Sequence, residues 1–289
     1  TVLKAQEHRG HVTVLKAQEH NGHVTVLKAH EHHGHVTVLK AADNEVPQVC
    51  LHSGEVQQQV VDLSVPGRGL DFAWVRTYRS RTGLDTAQGV RWSHSYDVRC
   101  VSNGPSVEIY DGTGRRDTYY RQADGSYSCP GFFREGTLSN NVFRLTFADS
   151  GFWQFAPLGG TPDSGRLSRI EDRNGNAMTC EYDGAGNLTR VLDTLGRTNS
   201  ISYADNRITS VTDCTGRRVS YDYYDGLLPG GNQGDLRSVT SPPVTGTPNG
   251  NDFPGGKTNL YTYTTGELDD QANHLMLTCV DGLGNTRGV

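Results

Sequence analysis

Between Gly165 and Arg218 the apolar positions fall into a phrase written three times. Leu167 and Ile170 precede Asp172, Gly175 and Tyr182; Leu188 and Val191 precede Asp193, Gly196 and Tyr203; Ile208 and Val211 precede Asp213, Gly216 and Tyr223. The Asp positions lie 21 and then 20 residues apart, so one unit is about twenty residues long. Asp opening a tight turn can accept a backbone N–H two residues on, and Gly at the fourth place supplies the positive φ that closes it. The flanks, such as Met178-Thr-Cys-Glu-Tyr182, alternate or are β-branched and aromatic, which suits a pleated strand. Each unit therefore reads as one hairpin. A lone hairpin cannot bury its apolar face, so the units must stack into a continuous sheet. One feature conflicts with regular strands: aliphatic residues three apart cannot share a face of period two, which implies a bulge or bend whose place the sequence does not give.

The rest of the chain supports the same class. Val107-Glu-Ile-Tyr110 alternates before an Asp111-Gly112 turn, and Val142–Phe147 alternates before Asp149-Ser-Gly151 and Phe152–Phe155, each predicting a strand with one buried face. Further upstream, Val60–Val65 and Phe72–Ser80 flank Pro66-Gly67, where Pro followed by Gly predicts a type II turn. The expected fold is all-β, built of antiparallel hairpin repeats that form a layered, curling sheet.

The phrase Leu-x-x-Val-x-Asp-x-x-Gly-Arg followed by Tyr-Asp resembles the tyrosine–aspartate (YD) repeat of the Rhs family, bacterial relatives of the teneurins. Looser copies occur at Leu236–Ser241 and Met276–Asn285, separated by Pro/Gly/Asn-rich stretches that read as loops. The block from Val46 to Asp97 is similar to the domain that precedes the repeats in Rhs-type proteins. It contains Gly54-Glu-Val56, Asp62-Leu with Pro66-Gly-Arg-Gly-Leu70, Arg76-Thr-Tyr78-Arg-Ser80 and Trp92-Ser-His94-Ser-Tyr-Asp97, with Ser53 where the family has Thr. The expected division is a twelve-residue tandem array over 1–42, an Rhs-type N-terminal β domain over 46–160 and YD repeats over 165–289. The resemblance implies a β-shell segment of a polymorphic toxin that encapsulates its own C-terminal effector, the present residues forming the shell's start and a plug-like opening domain. It implies a secreted or cell-surface protein, and no enzyme activity is expected of these residues. The teneurin side implies an alternative, an adhesion or carbohydrate-binding module in which exposed Tyr and Trp stack on cell-surface glycans.

Composition narrows the partners. With 27 basic and 32 acidic residues the net charge is −5, which does not favour a nucleic-acid partner. No apolar run is long enough to span a bilayer as a helix. The chain opens on Thr1 and closes within a repeat, as expected of a fragment of a longer protein. Six cysteines are spread without a CxxC pair; Cys279 occupies the place of Ile170, Val191 and Val211 and reads as a small buried hydrophobe. One or two disulfides would suit an exported protein.

The array over 1–42 opens Thr-Val-Leu-Lys-Ala four times, at Thr1, Thr13, Thr25 and Thr37, and holds eight of the eleven histidines. Asn21-Gly22 between β-prone runs predicts a hairpin, and a meander of such hairpins would have ten-residue strands. The mixed apolar pattern and the helix-favouring Leu-Lys-Ala-Gln-Glu-His core favour a polar spacer instead. His8, His11, His20, His23, His32 and His35 flank the turns and are the candidate metal ligands, but no second sphere of partners is visible, so no cofactor is expected.

Three further motifs imitate chemistry. Ser93, His94 and Asp97 contain the residue types of a triad, but neighbours on a strand point to opposite faces. Asp149-Ser-Gly151 and Asp163-Ser-Gly165 resemble aspartic-protease motifs, yet lie too close to supply two lobes. The Asp-Gly-x-Gly runs at Asp111, Asp183 and Asp281 lack the ligand array of a calcium loop. All read as turns or ordinary strand residues.

Overall fold

A computed structural model describes residues 47–50 and 52–289 in full and, for residues 15–20 and 23–28, the backbone alone. Among the described residues the protein is all-β, with one three-residue 3₁₀ turn at Asp270–Ala272. Strands Leu15–His20 and His23–Lys28 pair antiparallel with His20 opposite His23, as the Asn-Gly signal predicts; the remainder of the expected ten-residue strands lies outside the described residues.

Two sheets make up the body of the molecule. The first has four strands in the order Gln48–Cys50, Glu55–Val65, Phe72–Arg79 and Trp92–His94, all antiparallel. The second is a meander of seventeen strands running in chain order from Arg99 to Gly288. This sheet returns onto its own first strand. Arg99 bridges antiparallel to Arg166, with Cys100 N–H donating to the Gly165 carbonyl (2.7 Å) and Leu167 N–H to that of Val98 (3.0 Å). The first eight strands, Arg99–Asn103 through Leu167–Glu171, thus form a closed turn, and the repeats continue past it. Gly165 sits at the closure with φ of 68°, and a Cβ there would strike the Cys100 carbonyl oxygen, so the second Asp-Ser-Gly motif is also the seam of the sheet.

The bulge implied by the spacing of three is present in unit after unit. Pairing runs Glu181↔Arg190 and then Tyr182↔Leu188, skipping Thr189; Ser202↔Ser210 and then Tyr203↔Ile208, skipping Thr209; and likewise at Tyr223↔Leu236 and Tyr263↔Met276. The extra residue rotates the strand so that both aliphatic positions face inward: Leu188 with Val191, Ile208 with Val211, and Met276 with Cys279 are all buried. Each such side chain contributes about 1.5–3 kcal/mol when fully removed from water.

The four-stranded sheet lies against the buried face of the meander, and residues of both join one hydrophobic core. Phe72 to Tyr78 are buried without a break, so this strand is covered on both faces, whereas the repeat strands alternate. Pro66-Gly67 does connect two paired strands, with Val65 opposite Phe72, but not as a type II turn. The positive φ falls at Gly69 (75°), and Gly67 N–H donates to Asp71 Oδ1 in a longer loop.

Candidate functional site

The repeat residues form a structural device. In each turn the Asp Oδ1 accepts two backbone N–H groups: Asn174 and Asn176 for Asp172, Leu195 and Arg197 for Asp193, and Thr215 and Arg217 for Asp213, all at 2.8–3.0 Å. Gly175, Gly196 and Gly216 donate to the carbonyl of the same Asp and adopt φ of 81°, 74° and 86°. The tyrosines then tie each unit to itself. Tyr182, Tyr203 and Tyr223 donate their hydroxyls to the carbonyls of Leu167, Leu188 and Ile208, fifteen residues back in every case, at 2.8, 3.0 and 2.8 Å. Leu167, Leu188 and Ile208 each directly precede the residue that the bulge leaves unpaired, so the hydroxyl bonds a carbonyl where the ladder is interrupted.

The Arg of the repeat phrase has two partners. Arg197 Nε donates to Asp193 Oδ2 (2.6 Å), and its Nη2 reaches the Pro66 carbonyl (2.5 Å). Arg217 does the same with Asp213 and the Ser64 carbonyl (both 2.7 Å). In the first unit Asn176 bonds Asp172 alone, and the Gly69 backbone lies against both. The repeats thereby hold the edge of the four-stranded sheet.

A second docking point is buried. Arg76 and Asp62, with side chains 0% and 4% exposed, form an ion pair at 2.6 Å. Tyr221 donates to Asp62 Oδ2 (2.6 Å), Arg76 Nη1 to the Tyr261 hydroxyl (3.3 Å), and the guanidinium lies 5.0 Å from the Trp92 ring centre. Burial opposes the Arg76 charge, but Asp62 more than offsets it and holds the guanidinium firmly protonated. Beside it, Trp92 Nε1 donates to the Tyr263 hydroxyl (2.9 Å), and Tyr78 accepts Met276 N–H (2.8 Å). Sequence reasoning gave Asp62 and Arg76 no role of their own; the readable signal was an Arg within the apolar run Phe72–Val75 to Tyr78 and an Asp between Val61 and Leu63.

The imitative motifs dissolve. Ser93 Oγ donates to the carbonyls of Gly112 and Thr77, while His94 stacks on Trp74 with ring centres 4.3 Å apart and Asp97 pairs with Arg166 at 3.1 Å. Burial pushes the His94 pKa down to about 4. Asp149 and Asp111 accept N–H groups of their own turns. Among the described residues no three His, Cys, Asp or Glu side chains cluster as a metal site. The side chains of His8, His11, His20, His23, His32 and His35 lie outside the described residues. No disulfide is formed among the described residues; Cys100, Cys180 and Cys279 are buried, and burial pushes the thiols of Cys100 and Cys180 up to about 12. Trp74, Trp92 and Trp153 are buried too, so among the described residues no exposed tryptophan offers the sugar-stacking face that an adhesion module would present. No described helix is long and apolar enough to cross a membrane.

Residues 163–198, which contain the first complete turn-and-tyrosine unit, match the family model described as RHS Repeat. Residues 48–119 match a domain of unknown function, DUF6531, covering the four-stranded sheet and the first strands of the meander. These matches support an Rhs/YD-repeat protein. The chain is also similar to the tRNA nuclease WapA of Bacillus subtilis strain 168, with 28% identity over 138 residues. The tRNA(Glu)-specific nuclease WapA of Bacillus subtilis subsp. natto and the tRNA3(Ser)-specific nuclease WapA of Bacillus spizizenii match at 29% over the same length. In each case the match covers 47% of this chain and 6% of the relative.

Proposed function

We propose that residues 47–289 are the opening segment of a hollow β-shell in an Rhs-type polymorphic toxin, secreted or displayed at the cell surface, which encloses an effector carried further along the same polypeptide. The observations that carry this reading are the closure of the meander at Arg99 and Arg166 and the packing of its later repeats on the four-stranded sheet. A sheet that closes once and then continues by similar units can spiral outward, and a separate sheet packed on those units acts as a plug. The chain's own residues contribute walls: turns, tyrosine ties and docking arginines, with no nucleophile or acid–base pair assembled by the motifs that suggest one. The WapA relatives are nucleases by name; in this reading, any such activity belongs to the enclosed effector and not to this segment.

The test is the native protein itself. Capture with antibodies against residues 107–155, followed by peptide mapping, should recover a much larger polypeptide with a separate, tightly retained C-terminal fragment. Recovery of a product with no such fragment would remove the encapsulating role.

A further inference from the structure

The buried pair of Arg76 and Asp62 lies at a half-open cleft of about 200 Å³ between the two sheets. Its apolar lining comes from Val60 on strand Glu55–Val65 and from Val219 and Val239 on the repeat strands Arg218–Tyr223 and Leu236–Thr240, all three buried. The exposed Leu283 and the half-buried Lys257 complete it. One liquid water takes about 30 Å³, so the cleft has room for roughly six non-hydrogen atoms.

The acceptors of this lining are already engaged. Asp62 Oδ2 accepts from both Arg76 and Tyr221. Asp281 Oδ1 accepts the Leu283 and Asn285 N–H groups (2.9 and 3.0 Å), and its Oδ2 accepts the Asn285 side-chain amide (2.9 Å). Ser241 Oγ donates to the Pro242 carbonyl and accepts the Lys257 N–H. What remains are donors. Arg76 turns Nε to Asp62 and Nη1 to Tyr261, which is not a lining residue, and its Nη2 is buried with no hydrogen-bond partner among the described residues. A guanidinium cannot relieve an unmet donor by losing a proton, so Nη2 requires an acceptor. Lys257 is the second donor: its ammonium lies 4.4 Å from the Phe253 ring centre and pairs with no carboxylate among the described residues.

An occupant must therefore accept hydrogen bonds, bring one negative charge and offer apolar surface. A cation would meet Arg76 and Lys257, and a phosphate would bring a second charge against walls of valine. A ligand rich in hydroxyls would find the acceptors taken. A carboxylate on a short aliphatic chain meets all three demands, because its oxygens take the guanidinium and ammonium N–H groups while its carbons lie on Val60, Val219 and Val239. Butyrate has the size of the space. From the unmet Nη2 and the unpaired ammonium we infer that this cleft is a binding site for a short-chain aliphatic monocarboxylate. The site does not depend on the shell enclosing anything, so it stands or falls separately from the proposed function.

The experiment titrates the whole chain with sodium butyrate against equal additions of sodium chloride, which match the ionic strength, and with butyramide as the neutral isostere. Calorimetry follows the heat, and NMR follows the Arg76 Nε–H resonance. Butyrate should saturate with a dissociation constant of about 1 mM, in keeping with so small a ligand, and displace that resonance. Butyramide should bind about tenfold more weakly or not at all. Lys257→Met should weaken butyrate binding about tenfold. Arg237→Gln removes the same charge from an ion pair with Asp222 outside the cleft and should leave binding unchanged. Thermal melts establish that both variants are folded. If Lys257→Met does not fold, the contrast between butyrate and butyramide on the unmodified protein decides the matter alone. Absence of saturable butyrate binding beyond the effect of chloride, equal binding of the amide, an unmoved Arg76 signal, or equal effects of the two variants would overturn the site.

Discussion

The four-stranded sheet and the repeats are held by different kinds of information. In the repeats, the contacts that shape each hairpin turn are local: the Asp caps a turn two and four residues ahead, and the Tyr hydroxyl reaches back fifteen residues. The contacts of the four-stranded sheet with its surroundings are long-range. Arg76 meets Tyr261, Trp92 meets Tyr263, and Tyr78 meets Met276, each more than 170 residues away in sequence. A unit that is locally encoded can be copied along the chain; the four-stranded sheet has to be fitted to one place. Damage should therefore spread differently from the two regions.

The largest effect is expected at the buried pair. Arg76→Met leaves Asp62 buried without its counter-charge and should cost about 3–5 kcal/mol, read as a lower urea midpoint. The double variant Asp62→Leu, Arg76→Met should recover part of that loss, because no orphan charge remains. A single variant within about 1 kcal/mol of the parent would mean that the pair does not hold the sheets together.

Acid should act on the same region. Burial lowers the His94 pKa from 6.5 to about 4, so the folded chain refuses a proton that the unfolded chain accepts. Its contribution is fully present above pH 6.5, declines as pH falls and is exhausted once pH has passed below about 4, for a total of about 3 kcal/mol. Unfolding free energies measured across that range should show the slope, and His94→Gln should flatten it.

In the repeats the same kind of insult should be smaller. Gly196 adopts φ of 74°, and a Cβ added there would meet no atom within 4 Å, so the cost of Gly196→Val is backbone strain without a clash. A loss of about 2 kcal/mol is expected, against well under half of that for Gly196→Asn. Equal denaturation midpoints for parent and Val variant would break the turn assignment. Smallest of all, Tyr203→Phe removes one hydroxyl from the Leu188 carbonyl and should cost about 1 kcal/mol. A larger loss, comparable to that of Arg76→Met, would show that the tyrosine ties act beyond their own unit.

The sequence by itself determined the repeat. Asp172, Gly175 and their counterparts predict a tight turn because the chemistry that closes it lies within five residues, and the spacing of Leu188 to Val191 announces a bulge because strands have period two. The place of that bulge, just before each Tyr, needed the pairing partner, since a bulge is a mismatch between two strands and neither records it alone. The same limit explains Pro66-Gly67: local turn preference favoured a two-residue link, but the loop is shaped by the repeat turns of Asp172 and Asp193 against which it rests. Only the tertiary structure decided that Arg197 and Arg217 reach across to another sheet, that Asp62 meets Arg76 beneath Tyr221, and that Arg166 closes the first turn. Those groups are brought together by strand order and sheet curvature, which accumulate over the whole chain and leave no mark at any one residue.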